Sequence, residues 1–118
     1  MVWHVELHPD FEREFADLQQ EVRLELAAKI ERLRRDGPRL ARPHADKLAG
    51  SRHANMKELR FTAANGQWRA AFAFDPKRKA IVLVAGDKAG RDQRRFYRNL
   101  ISIADRRFDE HLSRRSGK

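Results

Sequence analysis

The chain has 118 residues, 41% of them hydrophobic, a net charge of +9 and no cysteine. That length predicts one domain around a single core, and the missing cysteines exclude disulfides and thiolate metal sites and suit a reducing compartment. No stretch approaches the roughly 18 apolar residues of a membrane span, and Met1-Val2-Trp3-His4 does not read as a signal peptide, so a cytoplasmic protein with no membrane partner is expected.

Trp3, Val5 and Leu7 alternate with His4 and Glu6, which predicts a first strand over residues 2–7. His8-Pro9-Asp10 stops it, with Pro9 suited to a helix start. Phe11, Phe15 and Leu18 then keep helical spacing, and Val22, Leu26, Ile30 and Leu33 mark a second helix. Asp36-Gly37-Pro38 ends this helical hairpin, which reads as a core stripe under a solvated face and carries no chemistry. Residues 39–55 lose all periodicity and predict a loop, with room for a short strand at Lys47-Leu48. His44 and His53 lie there as candidate acid–base groups, since histidine titrates near neutral pH; simple solvation is the competing reading.

Residues 57–74 read as two strands joined by a turn at Asn65-Gly66, a strong hairpin signal. Alternation places Leu59 and Phe61 on one face with Trp68, Ala70, Phe72 and Phe74. Glu58, Arg60 and Thr62 then share the other face with Arg69, Ala71 and Ala73. Guanidinium groups set among alanines predict an open floor for a charged ligand. Asp75-Pro76-Lys77-Arg78-Lys79 is a turn, and the apolar run Ile81–Ala85 predicts a central strand covered on both sides.

A last helix is expected from Asp92 to Leu112, with Phe96, Leu100, Ile103, Ala104 and Phe108 along one side. Arg91, Arg94, Arg95 and Arg98 form one basic stripe in its first turns, where the helix dipole disfavours cations, so a binding role is expected of them. Residues 1–112 make the single domain, and 113–118 a fraying basic tail. Residues 1–36 hold six Lys/Arg against nine Asp/Glu, whereas the rest holds twenty against eight. That asymmetry points to a polyanion partner for the second part.

The order of elements, with Lys57-Glu58-Leu59-Arg60, Trp68-Arg69 and an apolar strand ending at Gly86-Asp87-Lys88, resembles the RelE/ParE toxin superfamily, and within it the HigB-like, phage-derived branch. The resemblance runs from Trp3 to about Leu112. It implies an α+β, RelE-like fold: a small antiparallel or mixed sheet of about four strands, an N-terminal helical hairpin and a C-terminal helix. It also implies a toxin held inactive by a cognate antitoxin, expected to be a helix-turn-helix protein. RelE-like members cut mRNA in the ribosomal A site, while ParE-like members poison DNA gyrase.

Position by position, Arg69 matches the arginine that contacts the scissile phosphate in RelE-like nucleases, and Arg60 the basic residue closing the preceding strand's motif. Lys88 lies where those nucleases often place another basic catalytic residue, and Tyr97 roughly where RelE has a tyrosine, at a longer spacing. RelE carries a lysine where Glu58 stands, and the better-known HigB nucleases have a histidine-rich C-terminal segment that this chain lacks. Metal-independent RNA cleavage needs the 2′-hydroxyl deprotonated, the phosphorane stabilised and the leaving oxygen protonated. Arg60 and Arg69 suit the second task, being permanently charged and shaped for phosphate. Glu58, Lys57 and Lys88 are the candidate bases, although Glu58 could equally be an ion-pair partner for the arginines. Lys57, Tyr97 and the four arginines of the stripe are candidate RNA contacts. No cofactor or metal is expected, because the five histidines are scattered without a paired carboxylate spacing. A gyrase inhibitor without chemistry and a non-catalytic nucleic-acid-binding module are the alternatives.

Overall fold

The computed structural model describes residues 2–116. Along the chain it forms β1 (Val5–Leu7), α1 (Pro9–Ala16), α2 (Gln20–Asp36), a tight helical turn at Gly37–Arg39, β2 (Ala45–Lys47), β3 (Lys57–Ala63), β4 (Gly66–Phe74), β5 (Ala80–Asp87) and α3 (Gln93–Ser116). The five strands lie in the order β1-β5-β4-β3-β2. Only β1 and β5 run parallel, so the sheet is mixed. The fold class is the α+β arrangement expected, with one strand more than the four foreseen.

The first strand is shorter than 2–7 because Trp3 leaves the sheet. Its N–H donates to the Arg34 carbonyl at 2.7 Å, and its ring meets Phe74 edge-on at 5.6 Å. Gly37 makes this possible: at φ +59° it closes α2, and a Cβ there would sit 2.3 Å from the Trp3 indole nitrogen.

Alternation along the strands divides the interior into two cores. Leu59, Phe61, Ala70, Phe72 and Val82 pack with Phe11, Val22, Leu26 and Leu33 of the helical hairpin. On the opposite face Ala71, Ala73, Ile81 and Leu83 pack with Phe96, Leu100, Ala104 and Phe108 of α3. The alanine-lined face is therefore not an open floor. Ala71 and Ala73 are fully buried, and their small side chains let α3 lie close to the sheet. Beyond them Arg60, Thr62 and Gln67 stay accessible.

The hairpin turn is one residue earlier than Asn65-Gly66. Ala63 pairs with Gly66, leaving Ala64 and Asn65 as the two loop residues at φ +50° and +64°. Two positive φ values give a turn whose twist matches the strands. Gly66 is reserved for another purpose, since a Cβ there would lie 2.5 Å from the Asp87 carboxylate.

Helix α3 also runs past Leu112 through Ser116, which takes in residues 113–116 of the expected tail; residues 117–118 lie outside the described ones. Its second half is tied to four other segments. His111 meets Asp75 at 2.9 Å, and His53 meets Asp109 at 2.8 Å. The Ser51 hydroxyl donates to Asp105 at 2.5 Å. Buried Arg107 donates to both Glu14 oxygens, at 2.5 and 2.9 Å, and to the Leu83 carbonyl at 2.8 Å. Arg107→Ala is expected to cost about 2 kcal/mol, because the buried Leu83 carbonyl loses its donor while half-exposed Glu14 can return to water. A urea midpoint measures this, and Arg52→Ala on the exposed Asp109 pair should move it far less.

Candidate active site

Three cross-strand pairs follow one another on the α3 side of β3 and β4: Glu58 with Ala71, Arg60 with Arg69, and Thr62 with Gln67. The first turns of α3 reach over the first two pairs and bring Tyr97 onto them. Arg69 is 5% exposed; its Nε donates to the Tyr97 hydroxyl at 3.2 Å and its Nη1 to the Trp68 carbonyl at 2.8 Å. Glu58, also 5% exposed, lies 3.9 Å from Arg69 Nε and 4.0 Å from Arg60 Nε. Both separations are too long for hydrogen bonds, and the buried Glu58 Oε1 has no hydrogen-bond partner among the described residues.

Burial pushes the Glu58 carboxyl above the usual carboxylate range, and the nearby Tyr97 hydroxyl, Arg69 and Arg60 only partly offset it. Burial likewise raises the Tyr97 hydroxyl, helped by the charge of Glu58. The arrangement is a buried carboxyl held between two guanidinium groups and a phenol.

Arg60 is more open and reaches a second carboxylate, Asp46 of β2, at 3.6 Å. Asp46 is held by Arg42 through Nε at 2.8 Å and Nη2 at 2.7 Å, and the hydrogen bond from Arg42 holds its carboxyl below the usual range. Arg42 and Asp46 were not foreseen. They join the site only because β2 pairs Asp46 directly with Glu58, and no local pattern announces that pairing. A cleft of about 330 Å³ opens here, lined by Arg42, Pro43, Arg60, Thr62, Gln67 and Arg69.

The other expected residues are distributed unevenly. Lys88 sits one step beyond the site: its main-chain N–H donates to the Gln67 carbonyl at 2.8 Å, while its amine donates to Gln93 at 3.0 Å. Lys57 is turned the other way. It shares the face of Leu59, and its amine donates to the Pro38 carbonyl at 3.2 Å beneath the helical hairpin. His44 bonds to Lys29 of α2 on that same far side, where burial and then the Lys29 charge lower its pKa. His53 clamps its loop to α3. Neither histidine reaches Glu58. Arg91, Arg94, Arg95 and Arg98 are exposed, and Asp92 accepts from the N–H groups of Arg94 and Arg95, capping α3. By helix geometry the stripe begins about 60° round from Tyr97.

Contrary to the expected scatter, one histidine falls in a cluster with two carboxylates: among the described residues, ligand atoms of His8, Asp10 and Glu110 lie within 4.8 Å of one another. The His8 ring is already committed, however. Nδ1 accepts the Asp10 N–H at 3.0 Å and Nε2 faces Glu110 at 3.0 Å, which caps α1 and ties it to α3.

Residues 13–109 match the profile of the family described as phage derived protein Gp49-like. A candidate toxin of Mycobacterium tuberculosis, HigB3, is 43% identical over 111 residues, covering 94% of this chain and 95% of that protein. The chain belongs to the Gp49-like family. Through it the chain is a relative of proteins named as HigB toxins.

A second candidate toxin of that organism, HigB2, is 49% identical over 87 residues, which are 73% of this chain and 43% of that longer protein. The Gp49-like chain also shares its fold with solved toxins. A double mutant of the E. coli toxin RelE in the free state superposes with a TM-score of 0.65 at 17% identity, covering 91% of this chain and 98% of that one. A chain of the archaeal RelE–RelB complex from Pyrococcus horikoshii gives 0.54 at 15% identity, over 76% of this chain and 99% of that one. Those identities speak to the fold alone. Among the described residues, no helix is long and apolar enough to cross a membrane.

Proposed function

We propose that this Gp49-like toxin is a ribosome-dependent mRNA endonuclease that inhibits translation, and that it is restrained by a cognate antitoxin of the helix-turn-helix class. The observation that carries the enzymatic reading is the buried Glu58 carboxyl, which lies between Arg60 and Arg69 and whose Oε1 has no hydrogen-bond partner among the described residues. A surface that only held phosphates would gain nothing from a buried carboxyl, which repels them. A carboxyl kept solely as a counter-ion would take closer, hydrogen-bonded geometry.

In this reading Glu58 takes the proton of the ribose 2′-hydroxyl, whose oxygen then attacks the adjacent phosphorus. Arg69 and Arg60 stabilise the charge that builds on the phosphorane oxygens. The bond from phosphorus to the 5′-oxygen breaks, and Tyr97, lying between Glu58 and Arg69, gives that oxygen its proton and recovers one from Glu58. The products are a 2′,3′-cyclic phosphate and a 5′-hydroxyl. Arg91, Arg94, Arg95 and Arg98 supply contacts to RNA phosphates beside the site, and Lys88 a further cation at its edge.

The test is mRNA cleavage in a reconstituted translation system, with naked RNA in parallel and product ends mapped. Ribosome-dependent cuts with cyclic phosphate ends are expected. Intact mRNA under all conditions overturns the reading, and inhibition of gyrase supercoiling by the same preparation would replace it.

A further inference from the structure

We propose that the Thr62–Gln67 pair reads a nucleobase next to the scissile phosphate, an inference that rests on the nuclease reading of the neighbouring arginines. The pair is one rung along from Arg60–Arg69, about 7 Å at the usual rise of two strand residues. Of the three rungs described, it alone is polar and uncharged. A phosphate is drawn to the guanidinium rung, which leaves the adjoining base over this neutral one.

Four features fit it to a base edge. The Gln67 amide and the Thr62 hydroxyl each offer a donor and an acceptor, the pattern by which single-stranded bases are read. Neither side chain makes a hydrogen bond to another described residue. The Gln67 main chain, in contrast, is fixed at both ends: its N–H donates to Asp87 at 3.0 Å and its carbonyl accepts from Lys88 at 2.8 Å. Its amide is thus carried on a rigid base.

The third feature is the open edge of β3. β2 pairs only with Lys57, Glu58 and Leu59, so the strand has no neighbour there beyond Arg60. The Arg60 N–H points to that edge, where it donates to the His44 carbonyl at 2.9 Å. Two residues on, the N–H and carbonyl of Thr62 point the same way, adding a main-chain donor and acceptor. Finally, Pro43 gives the cleft an apolar wall, and its volume of about 330 Å³ admits a nucleotide unit but no folded RNA.

Thr62→Val and Gln67→Met keep size and remove the hydrogen-bonding groups. Cut sites of wild type and both variants should be sequenced in the reconstituted system. Total cleavage is expected to stay within a few-fold, while discrimination among bases flanking the cut falls about tenfold or more. Unchanged base preference in both variants overturns the proposal. A nitrogen–proton NMR titration of the wild-type protein with the four nucleoside monophosphates probes the same rung without any cleavage. Shifts at the Gln67 amide and Thr62 N–H that depend on the base support it. Shifts confined to Arg60 and Arg69 and equal for all four bases overturn it. A chain that cuts no RNA, yet shows base-dependent shifts at this pair, would fail the nuclease reading alone.

Discussion

Arg69→Ala is expected to lower mRNA cleavage by about a hundred- to a thousandfold, the usual effect of losing one charge-stabilising donor at a reacting centre. Arg69 is the more buried of the two guanidinium groups, and its position is fixed by the Trp68 carbonyl and the Tyr97 hydroxyl. It needs no rearrangement when charge develops, which is why its loss should outweigh that of exposed Arg98. Stability falls as well, by roughly 1–3 kcal/mol, because two hydrogen bonds go and Glu58 loses a nearby cation. Arg69→Lys separates the effects. It keeps the charge and much of the stability but lacks the planar fork, so cleavage should recover only in part. Rates in the reconstituted system, with a thermal melt beside each variant, check both. Cleavage by Arg69→Ala within tenfold of wild type would remove Arg69 from the reacting centre.

Glu58→Gln should lose cleavage by a comparable hundred- to ten-thousandfold, as expected for a proton-transfer group, while the folded protein becomes more stable above neutral pH. The sign follows from burial, which raises the carboxyl's pKa in the folded chain above its unfolded value. Between those two values the folded state holds a proton that the unfolded state has released. Wild-type stability therefore declines as pH rises through that window and stays reduced above it. Glutamine never ionises, so the variant should lack this part of the decline. Melting temperatures over a pH series distinguish the cases, at about 4–8 °C per kcal/mol for a small domain. A variant less stable than wild type at pH 8 would mean that the carboxylate serves the arginines as a counter-ion instead.

Much of the site was legible in strand alternation alone, which puts Glu58, Arg60 and Arg69 on one face because Leu59, Phe61, Trp68 and Phe72 must share the other. The same rule already turns Lys57 away, since it has the parity of Leu59; its place in the Lys57-Glu58-Leu59-Arg60 motif obscured this. What covers a face is another matter. Ala71 and Ala73 look alike whether they floor a cavity or admit a helix, and only the long-range docking of α3 decides. Arg42 and Asp46 were illegible for a related reason, as a three-residue strand acquires its partner through tertiary contact. The turn was misplaced by one residue because Asn65-Gly66 is a strong local signal. A contact twenty-one residues away, between Gly66 and Asp87, overrides it.

That contact also limits how the hairpin can vary through evolution. A strand displaced by one position presents its opposite side, so a single inserted residue that shifted β4 would carry Arg69 and Gln67 under the helical hairpin and bring Trp68 against α3. Asp87, wedged on the bare backbone of Gly66 and bonded to the Gln67 N–H, stands against such a slip. Insertions or deletions in this connection should accordingly survive only in even numbers or as bulges confined to the loop, a rule that deep mutational libraries could read directly.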